Sequence, residues 1–84
     1  MAKLTKKERQ WLDELQEVLN RCSSKRLGFA TAGDRDITVY DSSYSELIFK
    51  TLEHEGGDYI PTATKLGAVL GVINFPSQVE STAA

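Results

Sequence analysis

The side chains with reactive potential are few, and their spacing is poor for catalysis. His54 is the only histidine and Cys22 the only cysteine of the 84 residues. His54 stands between Glu53 and Glu55, in what reads as the last turn of a helix. A cation there is favoured by the helix dipole, which explains the residue without any chemistry. Cys22 continues an apolar helical stripe, so it is expected to be a buried thiol acting as a small hydrophobe. One cysteine and one histidine fall short of the four ligands a structural zinc site takes. A lone cysteine also forms no intrachain disulfide, in keeping with a reducing compartment.

Asp34, Asp36 and Asp41 were weighed as a cation loop. They lack the following glycine and the distal glutamate that calcium loops use, and Asp is an ordinary turn residue. Gly56-Gly57 is followed by Asp58, whose charge would repel a phosphate, so no phosphate-binding loop is read there. The expectation is a non-enzyme with no cofactor and no bound metal.

The elements that carry these residues follow from periodicity. Thr5 and Glu8 have the spacing of a capping box, in which each side chain satisfies the other residue's backbone N–H. After it, Trp11, Leu15, Val18 and Cys22 recur at helical spacing, widened by Leu12 and Leu19. Lys6, Gln10, Asp13, Glu17 and Arg21 occupy the opposite face. Such a helix is not stable alone, and its stripe must pack on something.

Two strands follow, Leu27–Ala32 and Ile37–Asp41, around a Gly33-Asp34-Arg35 loop. Parity places Phe29 with Val39 and Thr31 with Ile37 on one sheet face, and Gly28, Ala30, Thr38 and Tyr40 on the other. That second face is short of bulk, and a packed helix is the expected filling. Ser43 with Glu46 repeats the capping box and opens a second helix to about His54, closed by Gly56-Gly57. Its apolar face is Tyr44, Leu47, Ile48, Thr51 and Leu52, with Phe49 on the polar side.

Beyond Pro61 two readings compete. Thr62 caps a short helix to Leu70 stopped by Gly71, or Val69–Phe75 forms a third strand; the first, followed by an extended segment, is preferred. The fold class expected is α+β in the order α-β-β-α-α/β, with residues 1–76 as one domain and 77–84 as a flexible tail.

The stretch TATKLGAVLGV (62–72) has the look of a helix-turn-helix entry. Its continuation argues otherwise, because Pro76 forces Phe75 toward an extended conformation where a recognition helix should begin. Residues 77–81 carry no Lys or Arg, and an isoelectric point near 5.3 is poor for phosphate neutralisation. Charge is uneven: residues 1–26 carry net +3 and the remainder −5. The basic residues of the first segment are interrupted by acids and make no continuous phosphate track. A nucleic-acid-associated regulator using 62–80 and the first helix is therefore the secondary reading.

No run is long and apolar enough for a signal peptide or a membrane span, so a cytoplasmic location is expected. Together, LTKKERQWLDELQEVLNRC (4–22) and GDRDITVYD (33–41) resemble small accessory proteins of temperate phages and prophages of enteric bacteria. The resemblance implies a compact regulator that binds another macromolecule, such as a host protein or a defence system, and it assigns no residue a role. The leading expectation is a non-catalytic protein-binding regulator, with a homodimer also anticipated for so short a chain. Its candidate partner-contact residues are Tyr40, Phe49 and Tyr59, as interface-type aromatics, and the basic Arg21, Lys25 and Arg26.

Overall fold

The structure, a computed structural model, describes residues 2–80. The first helix, α1, spans Lys6–Asn20. Its start is the expected capping box: the Glu8 N–H donates to Thr5 Oγ1 at 3.1 Å and the Thr5 N–H to Glu8 Oε1 at 2.8 Å. Strand β1 (Leu27–Ala30) pairs antiparallel with β2 (Asp36–Asp41), and β2 pairs antiparallel with β3 (Val69–Asn74). The sheet order is β1-β2-β3, so β2 is central. A 3-10 turn (Ser42–Tyr44) leads into α2 (Ser45–Glu55), and α3 is Tyr59–Lys65. The architecture is α+β, as the hydrophobic pattern implied.

Parity holds across the hairpin. Phe29 pairs with Val39, Gly28 with Tyr40 and Ala30 with Thr38. The ladder stops at Ala30, so the expected Thr31–Ile37 pair does not form and Thr31–Arg35 is the loop. Side-chain bonds stabilise that loop: the Gly33 N–H donates to Thr31 Oγ1 (3.2 Å) and the Asp36 N–H to Asp34 Oδ1 (3.0 Å). Thr and Asp side chains that capture backbone donors compete with ladder bonds, which explains the shorter strand.

Three further boundaries differ from expectation. Ser43 does not cap α2; Asp41 instead caps the 3-10 turn that leads into it, accepting from the Ser43 N–H (3.0 Å) and the Ser43 hydroxyl (2.7 Å). The Ser43 hydroxyl thus donates to Asp41 and is oriented toward the strand end. Helix α3 begins at Tyr59, three residues before Thr62, with Pro61 inside its first turn, where a missing N–H costs nothing. It stops at Gly67 (φ 78°), not Gly71. The Ala68 N–H bonds Ala63 O (2.9 Å) and the Gly67 N–H bonds Thr64 O (3.1 Å), the paired bonds of a Schellman ending. Gly71 lies within β3 opposite Val39, so both competing readings of 62–75 contribute: a helix to Lys65, then a strand. The chain after α3 enters the sheet, and 62–80 is not a helix-turn-helix.

The core lies between the sheet and the α2–α3 pair. Ile48, Ala63 and Ala68 are fully enclosed, ringed by Tyr40, Tyr44, Leu52, Tyr59, Leu66 and Val69. The face that was short of bulk is therefore the one the helices cover. Leu47, expected on the inner face of α2, is exposed instead.

The opposite sheet face carries Phe29, Ile37 and Ile73, and α1 approaches it loosely from Trp11 onward, Trp11 and Leu15 lining a small cleft with Ile73, Asn74, Phe75 and Pro76. A gap of about 360 Å³ separates Leu19 and Cys22 from Phe29, Ile37, Ile73 and Phe75. No residue of α1 is buried. The molecule is consequently long, 49 × 29 × 20 Å, with a radius of gyration of 15.6 Å, against about 12 Å for a compact chain of this length.

Of the expected tail 77–84, residues 81–84 lie outside the described residues. Gln78 Nε2 donates to Gly33 O (2.9 Å) and the Val79 N–H to Asp34 O (2.8 Å), tying this segment to the β1–β2 loop. Among the described residues, no helix is long and apolar enough to cross a membrane.

Candidate functional site

Three of the six candidate contact residues come together although they are distant in sequence. Tyr40 is placed by β2 on the helix-covered side of the sheet, opposite Gly28. Tyr59 is the first residue of α3, and Phe49 lies one turn into α2. The Tyr40 and Tyr59 rings meet edge to face with centroids 5.5 Å apart at 70°. Phe49 and Tyr59 meet at 5.3 Å and 61°. Both geometries suit the ring quadrupoles. The Tyr59 hydroxyl donates to the Tyr40 hydroxyl at 3.2 Å.

Gly28 makes this ladder possible. A Cβ at position 28 would lie 2.6 Å from Tyr40 Cζ, so only glycine lets the ring lie flat over β1. The ring of Tyr40 itself thus fills the space that parity left vacant.

Burial, seconded by the hydrogen bond to Tyr40, pushes the Tyr59 phenol above its ordinary 10.0, while Ser45 opposes the shift. Tyr59 is therefore neutral at physiological pH, a hydrogen-bonding aromatic and not a base. It also walls an open cleft of about 520 Å³ between Thr31 and Ala32 of the β1–β2 loop and Asp58–Pro61. Phe49 is 57% exposed at the outer end of the ladder. The result is an apolar, preformed surface with hydroxyls at its inner end.

The basic candidates are placed differently. Arg21 pairs with Glu17 of its own helix at 3.6 Å, and both side chains are well exposed. Arg26 reaches Asp41 at 3.3 Å and so joins the α1–β1 connection to the end of β2. Asp41 is held below its usual carboxylate range by the Ser43 hydroxyl, then by the Ser43 N–H and the Arg26 charge, outweighing desolvation. Lys25 is exposed in the same connection. Two of the three cations thus have local partners, and the trio is not part of the aromatic ladder.

The residues first considered for chemistry stay apart from it as well. Cys22, expected to be buried, is exposed, because α1 does not close on the sheet. His54 is exposed in the last turn of α2. Asp34 and Asp41 serve turns and caps. Among the described residues, no group of three or more His, Cys, Asp or Glu converges as metal ligands would.

Sequence reasoning picked out Tyr40, Phe49 and Tyr59 individually but missed that they form one stack. The available signal was the Gly28–Tyr40 pairing, since a glycine opposite a large aromatic marks a ring folded over the neighbouring strand. No protein-family model, curated protein or solved structure matches this chain.

Proposed function

We propose that the chain is a non-catalytic, cytoplasmic protein-binding regulator, of the kind a phage uses to modulate a host protein, and that it engages its partner through the Tyr40–Tyr59–Phe49 face. The observation that carries this reading is Phe49: more than half exposed, yet held edge-on against Tyr59. Aromatic side chains are the usual anchors of protein interfaces, and a ring already fixed loses little further freedom on binding. The neutral Tyr59 hydroxyl beside the cleft supplies a polar contact that needs no ionised group.

Affinity capture from the native host, read by mass spectrometry with nuclease treatment as a control, tests the proposal. The wild type should retain a defined protein that Phe49→Ala loses at unchanged melting temperature. Capture that survives both Phe49→Ala and Tyr59→Ala would place the contact elsewhere, and capture abolished by nuclease would replace a protein partner with a nucleic acid.

A further inference from the structure

Helix α1 has an apolar stripe that its own chain covers only in part. Leu4, Trp11 and Val18 remain 46%, 51% and 54% exposed, and Leu15 is half-buried, Trp11 and Leu15 lining a small cleft with Ile73, Asn74, Phe75 and Pro76. Toward the N-terminal end the stripe opens as a groove lined by Leu4, Lys7, Glu8, Trp11 and Leu12, about 420 Å³ in volume. Here the helix projects beyond the sheet.

The amount of surface says what covers it. The chain exposes 6909 Å², whereas a folded monomer of its 9.3 kDa mass exposes about 5,000 Å². Residues 1 and 81–84 contribute about 700 Å² at most. More than about 1,000 Å² per chain is then in excess, which is what each partner of a stable dimer buries.

The charges say how the copies are arranged. Glu8, Leu15 and Cys22 alternate with Leu4, Trp11 and Val18 at spacings of three and four, as the seam of a two-helix coil does. Lys7 and Glu14 lie on one flank of that seam, two turns or about 10.5 Å apart. In a parallel pair this flank would face the other flank of the partner, where Thr5, Leu12 and Leu19 carry no charge. In an antiparallel pair it faces itself, and Lys7 of each copy meets Glu14 of the other.

We infer that the N-terminal half of α1 pairs antiparallel with the same segment of a second copy about a two-fold axis, stacking Leu4 on Leu15 of the second copy and flanking the seam with two Lys7–Glu14 ion pairs. The two Trp11 indoles lie on either side of the axis. A two-fold pairing closes on itself, so the assembly stops at two chains. This surface is on the other side of the sheet from the Tyr40–Tyr59–Phe49 ladder, and the inference does not depend on the function proposed above.

Sedimentation equilibrium on the purified chain tests it, with no partner present. The wild type should move from the 9.3 kDa mass to twice that value between nanomolar and high-micromolar concentration, with the Trp11 emission shifting to shorter wavelength over the same range. Lys7→Glu or Glu14→Lys alone should raise the dissociation constant about tenfold, since each turns two symmetry-related attractions into two repulsions. The double variant Lys7→Glu/Glu14→Lys should return to wild-type affinity. Both positions are exposed on the surface of α1, so circular dichroism should report an unchanged fold for all three. A wild type that stays monomeric at several hundred micromolar would overturn the inference, as would a dimer whose affinity the double variant fails to restore.

Discussion

Gly28→Ala is the sharpest probe of how the sheet holds the aromatic ladder. Gly28 has no positive φ, so alanine suits the backbone and the effect is steric. The new Cβ would meet Tyr40 Cζ at 2.6 Å, Cε1 at 2.8 Å and Oη at 2.9 Å. Ordinary carbon contacts lie at about 3.5–4.0 Å, so the ring must retreat by about 1 Å. It has little room, because Tyr59 stands at 5.5 Å and the hydroxyl–hydroxyl bond at 3.2 Å is already long. Overpacking of this kind costs about 1–3 kcal/mol, and the lost hydrogen bond adds about 1 kcal/mol. Restricting the unfolded chain returns about 0.4–1 kcal/mol. The net loss is about 1–3 kcal/mol, and at about 4–8 °C per kcal/mol the melting temperature should fall by about 5–20 °C. Thermal melts followed in the far and near ultraviolet measure both the fall and the loss of tyrosine signal. In a Tyr40→Val background the same substitution should cost almost nothing, because its target is gone. Equal losses in the two backgrounds would refute the clamp.

Three other outcomes follow from the same structure. Ile48→Ala removes the one large side chain that is fully buried among the described residues and should cost about 2–4 kcal/mol, much of the total stability of about 4–13 kcal/mol expected at this length, seen as an early, broad calorimetric transition. Thr5→Ala removes the capping box and should weaken α1 by about 1 kcal/mol; because α1 buries no residue, the loss should appear as reduced helical ellipticity more than as a lower melting point. Asp41→Asn tests the cap on the 3-10 turn before α2. The folded carboxyl lies below its ordinary 3.8, so its stabilisation is present above that pH and is lost as pH falls through the folded value. The variant should melt below wild type at pH 7, and the two melting curves should converge in acid well below pH 4.

Much of the fold was legible because it is written in short-range chemistry. Thr5 and Glu8 are one turn apart, so their reciprocal bonds need nothing from the rest of the chain. Parity placed Phe29 beside Val39 and left Gly28 with Tyr40, since a strand allows each side chain only two directions. Where an element's end depended on contacts with distant segments, the reading failed. The pattern put the cap at Ser43 and the stop of α3 at Gly71, whereas Asp41 caps the turn before α2 and α3 ends at Gly67. Asp41 also pairs with Arg26 at 3.3 Å and residues 69–74 pair with β2, and both contacts join segments that a local pattern does not connect.

By itself, then, the order of residues determined the capped first helix and the hairpin with its two faces. The tertiary structure alone decided that Tyr40, Tyr59 and Phe49 form one stack, that Cys22 stays open to solvent, and that no residue of the α1 stripe is buried. The division has one physical cause. Capping, turn and parity preferences act over a few bonds and are carried by the residues themselves. Which apolar surface covers which depends on the total area available, and this chain has enough helix and strand to close one side of its sheet but not both.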